Sequence, residues 1–210
     1  MLFDIRWRRE ADRNLPVLVW QWSAPMRSIA TSPHSGGLGL RRWVINAQVP
    51  PAYSRRDPEH HLAKLAVSLG LAGRGNGMLT ETDVRDYRSS VDEGVEVVAT
   101  VDVGTPILAS TRGREPSSST IGTIGTINVV AVLPERLSDA ALVNALVTAS
   151  QAKGQALLGA GVAAAGTATD AVCVICPNEG RMADFGDPGS RWGARLARAV
   201  HAAVLSGVTR

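Results

Sequence analysis

Gly166-Thr167-Ala168-Thr169-Asp170 places two hydroxyls and a carboxylate within five residues, directly ahead of the apolar run Ala171-Val172-Cys173-Val174-Ile175-Cys176. A carboxylate can take or orient a proton, and a hydroxyl can serve as nucleophile or ligand. The β-branched run reads as a buried strand. The polar groups would then sit at a strand end, held on a rigid element yet open to a cleft. In the plainer reading, Thr167, Thr169 and Asp170 satisfy backbone donors in a turn.

Lys153 stands among Ala149, Ala152, Gly154, Ala156 and Leu157 on a long helical stretch. So surrounded, it is either partly buried and paired with a carboxylate such as Asp170, or a surface lysine with its stem laid on apolar neighbours. Asn128 is polar inside an apolar strand, where it needs partners or faces a ligand. His34, in a glycine-rich loop after Pro33, has a setting that suits an acid/base as well as a structural role. His60 and His61 are helix neighbours that cannot chelate together, and both are expected at the surface. Cys173 and Cys176, three apart on a strand, point to opposite faces and are core thiols rather than a redox or zinc pair. The tryptophans Trp7, Trp20, Trp22, Trp43 and Trp192 offer a wall for a flat ligand, or core packing.

The elements that must position these residues follow from periodicity and punctuation. Strands are expected at 15–22, ended by Pro25, and at 43–49, stopped by Pro50-Pro51. A helix starts at Asp57-Pro58-Glu59 and runs to about Leu69. A glycine-rich turn (Gly73, Gly75, Gly77) leads to a short helix through Tyr87. Strands follow at 95–103 and 107–110, then a polar loop at 111–119 and a long strand at 121–133. Ser138-Asp139 caps a helix over 140–158, and the last helix covers 191–205. Ile45-Asn46 and Ile127-Asn128 each precede a helix and then a Thr-x-Thr-Asp, at Thr80–Asp83 and Thr167–Asp170. This suggests two related halves, about 15–110 and 120–206, whose signature residues face a shared site. The fold class expected is α/β, a mixed β-sheet with packed helices, two pseudo-repeated β-α-β halves in one compact domain over 1–210.

At 210 residues, 45% hydrophobic and 20% charged, the chain can bury a sizeable core. Two cysteines imply no disulfide framework, and the N-terminus lacks the apolar core of a signal peptide, so a cytoplasmic location is expected. No apolar stretch is long enough to span a bilayer. The net charge is +3, with arginine far outnumbering lysine. No basic stripe with interleaved aromatics accompanies it, so neither nucleic acid nor membrane is an expected partner. The oligomeric state, a homo-oligomer included, stays open. There is no Gly-x-Ser-x-Gly, His-Glu-x-x-His, phosphate loop or Gly-x-Gly-x-x-Gly opening a helix after a strand.

Several blocks together resemble the adenosylcobinamide amidohydrolase family, over roughly Trp22 to Leu205. They are Ser23-Ala24-Pro25, His34-Ser35-Gly36-Gly37-Leu38, Ile45-Asn46, Gly77-Met78-Leu79-Thr80, Gly125-Thr126-Ile127-Asn128, Ala152-Lys153 and Gly166–Val172. The resemblance implies hydrolysis of the amide that joins the aminopropanol arm to a propionate side chain of the corrin ring. Cobyric acid would be released for corrinoid salvage in cobalamin biosynthesis, and some relatives also act on pseudocobalamin. The corrinoid is then substrate rather than cofactor, with no cofactor expected, and no residue pattern demands a metal. Asp170 is the candidate base or orienter, and Thr167 or Thr169 the candidate nucleophile or substrate ligand. Lys153 would tune the carboxylate or stabilise an oxyanion, with His34 a second acid/base. Asn128, Asn46, Thr126, Gly36, Gly37, Thr80 and Ser23 are the expected substrate-binding residues, Asn128 as a donor to the oxyanion. Two alternatives stay beside this reading. One is an N-terminal threonine nucleophile freed by self-cleavage after Gly166 or Gly125. The other is a corrinoid carrier or sensor without turnover, prompted by Gln151, which replaces the family's usual acid before Ala-Lys.

Overall fold

The computed structural model describes residues 3–110 and 125–209. The polar loop expected at 111–119 and the start of the strand expected at 121 lie outside these residues.

Among the described residues, ten strands and three helices run in the order β1 (Asp4–Glu10), β2 (Arg13–Ala30), β3 (Gly37–Gln48), α1 (Pro58–Ser68), β4 (Gly75–Thr80), a short 3-10 turn at Val84–Asp86, β5 (Arg88–Asp92), β6 (Val95–Asp102), β7 (Thr126–Val132), β8 (Arg136–Leu137), α2 (Asp139–Gly159), β9 (Ala171–Cys176), β10 (Met182–Ala183) and α3 (Arg191–Val208). Eight strands form one mixed sheet in the order β4-β3-β2-β9-β7-β6-β5, with β1 against β2, and β8 and β10 form a small parallel pair. The pairs β3–β4 and β7–β9 are parallel and each is joined through a helix, giving two β-α-β units in an otherwise antiparallel sheet. The fold is α/β with a mixed sheet and packed helices.

Period-2 alternation divides the sheet into two apolar faces. On one, Val97, Ile127, Val129 and Val174 pack against α2 and α3, and Val17, Val19, Trp43 and Ile45 against α1. On the other, Leu18, Trp20, Val44, Met78, Val98, Val130 and Cys173 pack on one another and on Val84 of the 3-10 turn, with no α-helix in the cluster among the described residues. The sheet therefore curls around its own inner face. Asn128 of β7 donates to the carbonyl of Leu79 on β4 at 2.9 Å, although β3, β2 and β9 lie between those strands in the sheet order.

Several boundaries differ from the sequence expectation. β2 does not stop at Pro25: its register against β3 shifts between Gln21 and Met26, and the proline falls in that irregularity, where no ladder donor is needed. The segment Gly73–Gly77 is largely a strand rather than a turn. Gly75 is required there because a Cβ would lie 1.9 Å from the Trp43 ring. Gly37–Gly39 likewise begin β3 instead of a loop, while β1 and β5 were not anticipated. Ile107 makes only an isolated bridge to Gly166. Asp57 stands at the start of α1 with Pro58 next, but its carboxylate is taken by Arg55 at 2.9 and 2.7 Å rather than by a helix N–H. Ser138 and Ser190 do cap α2 and α3, accepting from Ala141 and Gly193 N–H.

Candidate functional site

The turn ahead of β9 is organised by one carboxylate. Asp170 Oδ1 accepts from Ile127 N at 2.8 Å and from Thr167 Oγ1 at 2.5 Å. Oδ2 accepts from Thr167 N at 3.0 Å and is paired with Lys153 Nζ. The side chains of Asp170 and Lys153 are only 8% and 9% exposed. Each carboxylate oxygen thus receives two donors, and one of the four, on Oδ2, is cationic, which holds the group rigidly and satisfies its burial. Gly166 makes the arrangement possible, since a Cβ would lie 2.3 Å from Asp170 Oδ2 and 2.4 Å from Lys153 Nζ.

A cavity of about 280 Å³ opens beside this turn. The ends of β2, β3 and β4 converge on the starts of β7 and β9, and the wall includes Thr31, Tyr53, Thr80, Thr126, Asn128, Thr169 and Asp170. Thr169 Oγ1 is 2.9 Å from Gly125 O and 2.8 Å from Thr126 Oγ1. Asn128 Nδ2 donates to Asn46 Oδ1 and to Leu79 O, both at 2.9 Å. Both partners are acceptors, which fixes the orientation of the amide. Among the described residues, Asn128 Oδ1 is buried with no partner. Because both amide hydrogens are committed, Asn128 has only an acceptor left to offer, not the oxyanion donor expected from sequence.

The remaining candidates separate by position. Thr167 is buried behind the wall in the Asp170 anchor, and Lys153 lies behind it on α2. Asn46 is buried and supports Asn128 while donating to Thr100 Oγ1 at 2.9 Å. Thr80 is in the wall, its hydroxyl accepting from Thr82 N at 3.1 Å. His34 is not brought to Asp170. Its ring stacks on Trp43 at 5.7 Å, and burial lowers its pKa. It lines a neighbouring depression with Arg56, Glu59 and His60 that shares Pro33 and Pro58 with the cavity. Gly36 and Gly37 line neither: Gly36 is packed where a Cβ would lie 2.5 Å from Ser32 O, and Gly37 has φ 81°. Ser23 is exposed, its carbonyl held by Arg42 at 2.6 Å. The two Thr-x-Thr-Asp blocks occupy unlike places, the first after the second strand of its unit and the second before it.

Sequence reasoning missed Tyr53 and misplaced His61. His61 is 4% exposed, with Tyr53 Oη at 2.8 Å from Nδ1 and Glu10 Oε1 at 3.2 Å from Nε2. Burial lowers the His61 pKa and pushes Tyr53 up to about 12. The signal was available, since His61 falls one turn from Leu65 on the apolar stripe of α1. Cys173 and Cys176 are buried free thiols in the inner and outer clusters, with Cys173 raised to about 12 by burial. No tryptophan is in the cavity wall. Gln151 is exposed and borders a separate depression with Leu108, Val147 and Leu158. Among the described residues, no group of three or more His, Cys, Asp or Glu is placed to hold a metal ion, and no helix is long and apolar enough to cross a membrane.

The fold and site together are those of an α/β protein with a small cavity at its strand ends, walled by hydroxyls, an amide, an anchored carboxylate and apolar side chains such as Val49 and Leu79. The comparisons name its kin. The family model described as adenosylcobinamide amidohydrolase matches residues 4–210, and the chain belongs to that family. An adenosylcobinamide amidohydrolase of Methanosarcina mazei is 27% identical over 183 residues, covering 83% of this chain and 86% of the relative. Another, of Halobacterium salinarum, is 28% identical over 193 residues, 89% of this chain and 82% of the relative.

Proposed function

We propose that this chain is an adenosylcobinamide amidohydrolase, and the observation that carries the assignment is the family match over residues 4–210. The reaction adds water across the amide that links the aminopropanol arm to the corrin propionate. Hydroxyl goes to the acyl carbon and a proton to the nitrogen, releasing cobyric acid, its adenosyl ligand retained, and aminopropanol for corrinoid salvage; pseudocobalamin is a further substrate of the same kind. The cavity volume of about 280 Å³ suits the arm and its amide, while a corrin ring is far larger and would stay at the mouth, over Pro33 and Pro58.

Asp170 is the carboxylate of the cavity wall, and its donors favour the role of orienter. A carboxylate whose oxygens already accept from Ile127, Thr167 and Lys153 holds the turn that presents Thr169. With Gly125 O and Thr126 Oγ1 as its near neighbours, Thr169 has no adjacent base among the described residues to activate it as a nucleophile, and it is assigned to substrate binding. Gln151, on the exposed side of α2, removes nothing from the cavity, so the carrier reading gains no support from it. We place the protein in the cytoplasm, with the corrinoid as its partner and nucleic acid not among them.

Incubating the purified chain with adenosylcobinamide and resolving products by chromatography and mass spectrometry tests the assignment. Cobyric acid is expected, with the Asp170→Asn variant reduced by at least about 100-fold, the scale of a lost catalytic or positioning group. Tight binding of the corrinoid without product would establish the carrier instead.

A further inference from the structure

Thr126 and Asn128 are alternate residues of β7 on the inner face of the sheet, and both line the cavity. Their polar atoms differ in what they can give. The Thr126 and Thr169 hydroxyls stand 2.8 Å apart and either can donate; with Thr169 donating to Thr126 Oγ1, the Thr126 proton turns to a ligand oxygen. Asn128 has spent both hydrogens on Asn46 and Leu79, and its Oδ1 is buried and unpartnered in a residue only 1% exposed. An acceptor left bare in such a place costs free energy until a donor reaches it.

We propose that Thr126 Oγ1 and Asn128 Oδ1 form a donor–acceptor clamp for a trans secondary amide, Thr126 donating to its carbonyl oxygen and Asn128 accepting from its N–H. The proposal rests on the amidohydrolase reading and specifies which atoms of the scissile group this site selects. Alternate residues on a strand stand about 7 Å apart. The carbonyl oxygen and N–H of a trans amide point in opposite directions, and partners at ordinary hydrogen-bond distance on its two sides are separated by about the same span. An ester of the same acid has the carbonyl but no N–H. It would leave Asn128 Oδ1 bare and bring its own oxygen against that acceptor. The site would thus reject the chemically more labile bond, as sites built to pair a substrate N–H do. The clamp also assigns Asn46, which is not in the wall of this cavity, as the positioning residue that keeps Asn128 Oδ1 turned to the ligand.

The test compares adenosylcobinamide with the analogue in which an ester oxygen replaces the scissile N–H. Dissociation constants come from equilibrium dialysis followed by corrinoid absorbance, and kcat/KM from initial rates. The wild-type chain is expected to bind the ester at least tenfold more weakly and to turn it over with at least 100-fold lower kcat/KM. Asn128→Leu should bring the two binding constants within about twofold of each other. Thr126→Val should weaken amide and ester alike and leave their ratio unchanged, because both retain the carbonyl. If Asn128→Leu fails to fold, the wild-type ratio and the Thr126→Val pattern still decide. Equal handling of amide and ester by the wild-type chain overturns the clamp while leaving the amidohydrolase in place. Preference for the amide in binding without any product keeps the clamp and removes the hydrolase. Absence of binding to either compound overturns the clamp together with the substrate assignment.

Discussion

The Lys153–Asp170 pair is buried on both sides, and this decides what its loss would cost. Removing one partner of a buried ion pair strands the other charge, at about 3–5 kcal/mol, whereas replacing both with groups of similar volume can be close to neutral. Asp170→Asn is therefore expected to lower stability by roughly that amount, and Asp170→Asn combined with Lys153→Met to recover most of it. Turnover should stay lost in the double variant, because Thr167 and Ile127 no longer have a carboxylate to hold the turn. Urea midpoints set beside cobyric acid formation separate the two effects; a double variant that recovers activity along with stability would make the pair purely structural. This pairing was legible in the sequence, since a lone lysine among small residues leaves few partners. The role of Asn128 was not. Which end of its amide faces the cavity is fixed by Asn46 and Leu79, which are remote in sequence.

At the scale of elements, α1 brings the second buried titratable cluster into the molecule. His61 lies against Tyr53, Glu10, Arg8 and Arg55, and burial is the largest influence on it, lowering its pKa; His34 is lowered for the same reason. A histidine that resists protonation when folded binds fewer protons than the unfolded chain once the pH drops toward the ordinary value of about 6.5. Stability then rises with pH across that window and falls as the pH is taken from about 7 to 5. The contributions of Asp57, Asp83 and Asp92, whose pKa values are lowered beside arginines, are present above the ordinary aspartate value and are lost only at lower pH. His61→Gln is expected to flatten the slope of urea midpoint against pH between 7 and 5, leaving the part due to His34. An unchanged slope would mean that His61 titrates alike in both states. The elements themselves were readable where period and caps agree, as in α2, α3, β6 and β9. They were misread where glycine serves close packing instead of a turn, as Gly75 does beneath Trp43.

For the whole molecule, the sheet order bears on whether the two halves suggested by the sequence can stand apart. The segment before residue 110 supplies β4, β3 and β2 at one side and β6 and β5 at the other; β9 and β7, from after residue 125, lie between. Every path across the sheet from β2 to β6 thus runs through the later segment. The outer faces of β6 and β7 also share one cluster with α2 and α3. Neither segment can bury its inner face or complete its hydrogen-bonded ladder without the other, and strand edges so exposed are poorly tolerated. We expect a single cooperative unfolding transition. Replacing all tryptophans but Trp43, buried in the earlier segment, and separately all but Trp192, packed in the later one, gives a local reporter for each. Their urea transitions should coincide in midpoint and slope when each is compared with circular dichroism of the same variant. Two separated transitions would show halves that fold independently. In that case the cavity, whose wall takes Thr80 and Tyr53 from the earlier segment and Thr126, Asn128 and Asp170 from the later one, would form only when they dock. A cooperative sheet instead makes the amide-sized cavity a property of the folded chain as a whole. Substitutions far from it, such as Gly75→Ala under Trp43, would then lower corrinoid turnover only through the folded fraction, leaving KM unchanged.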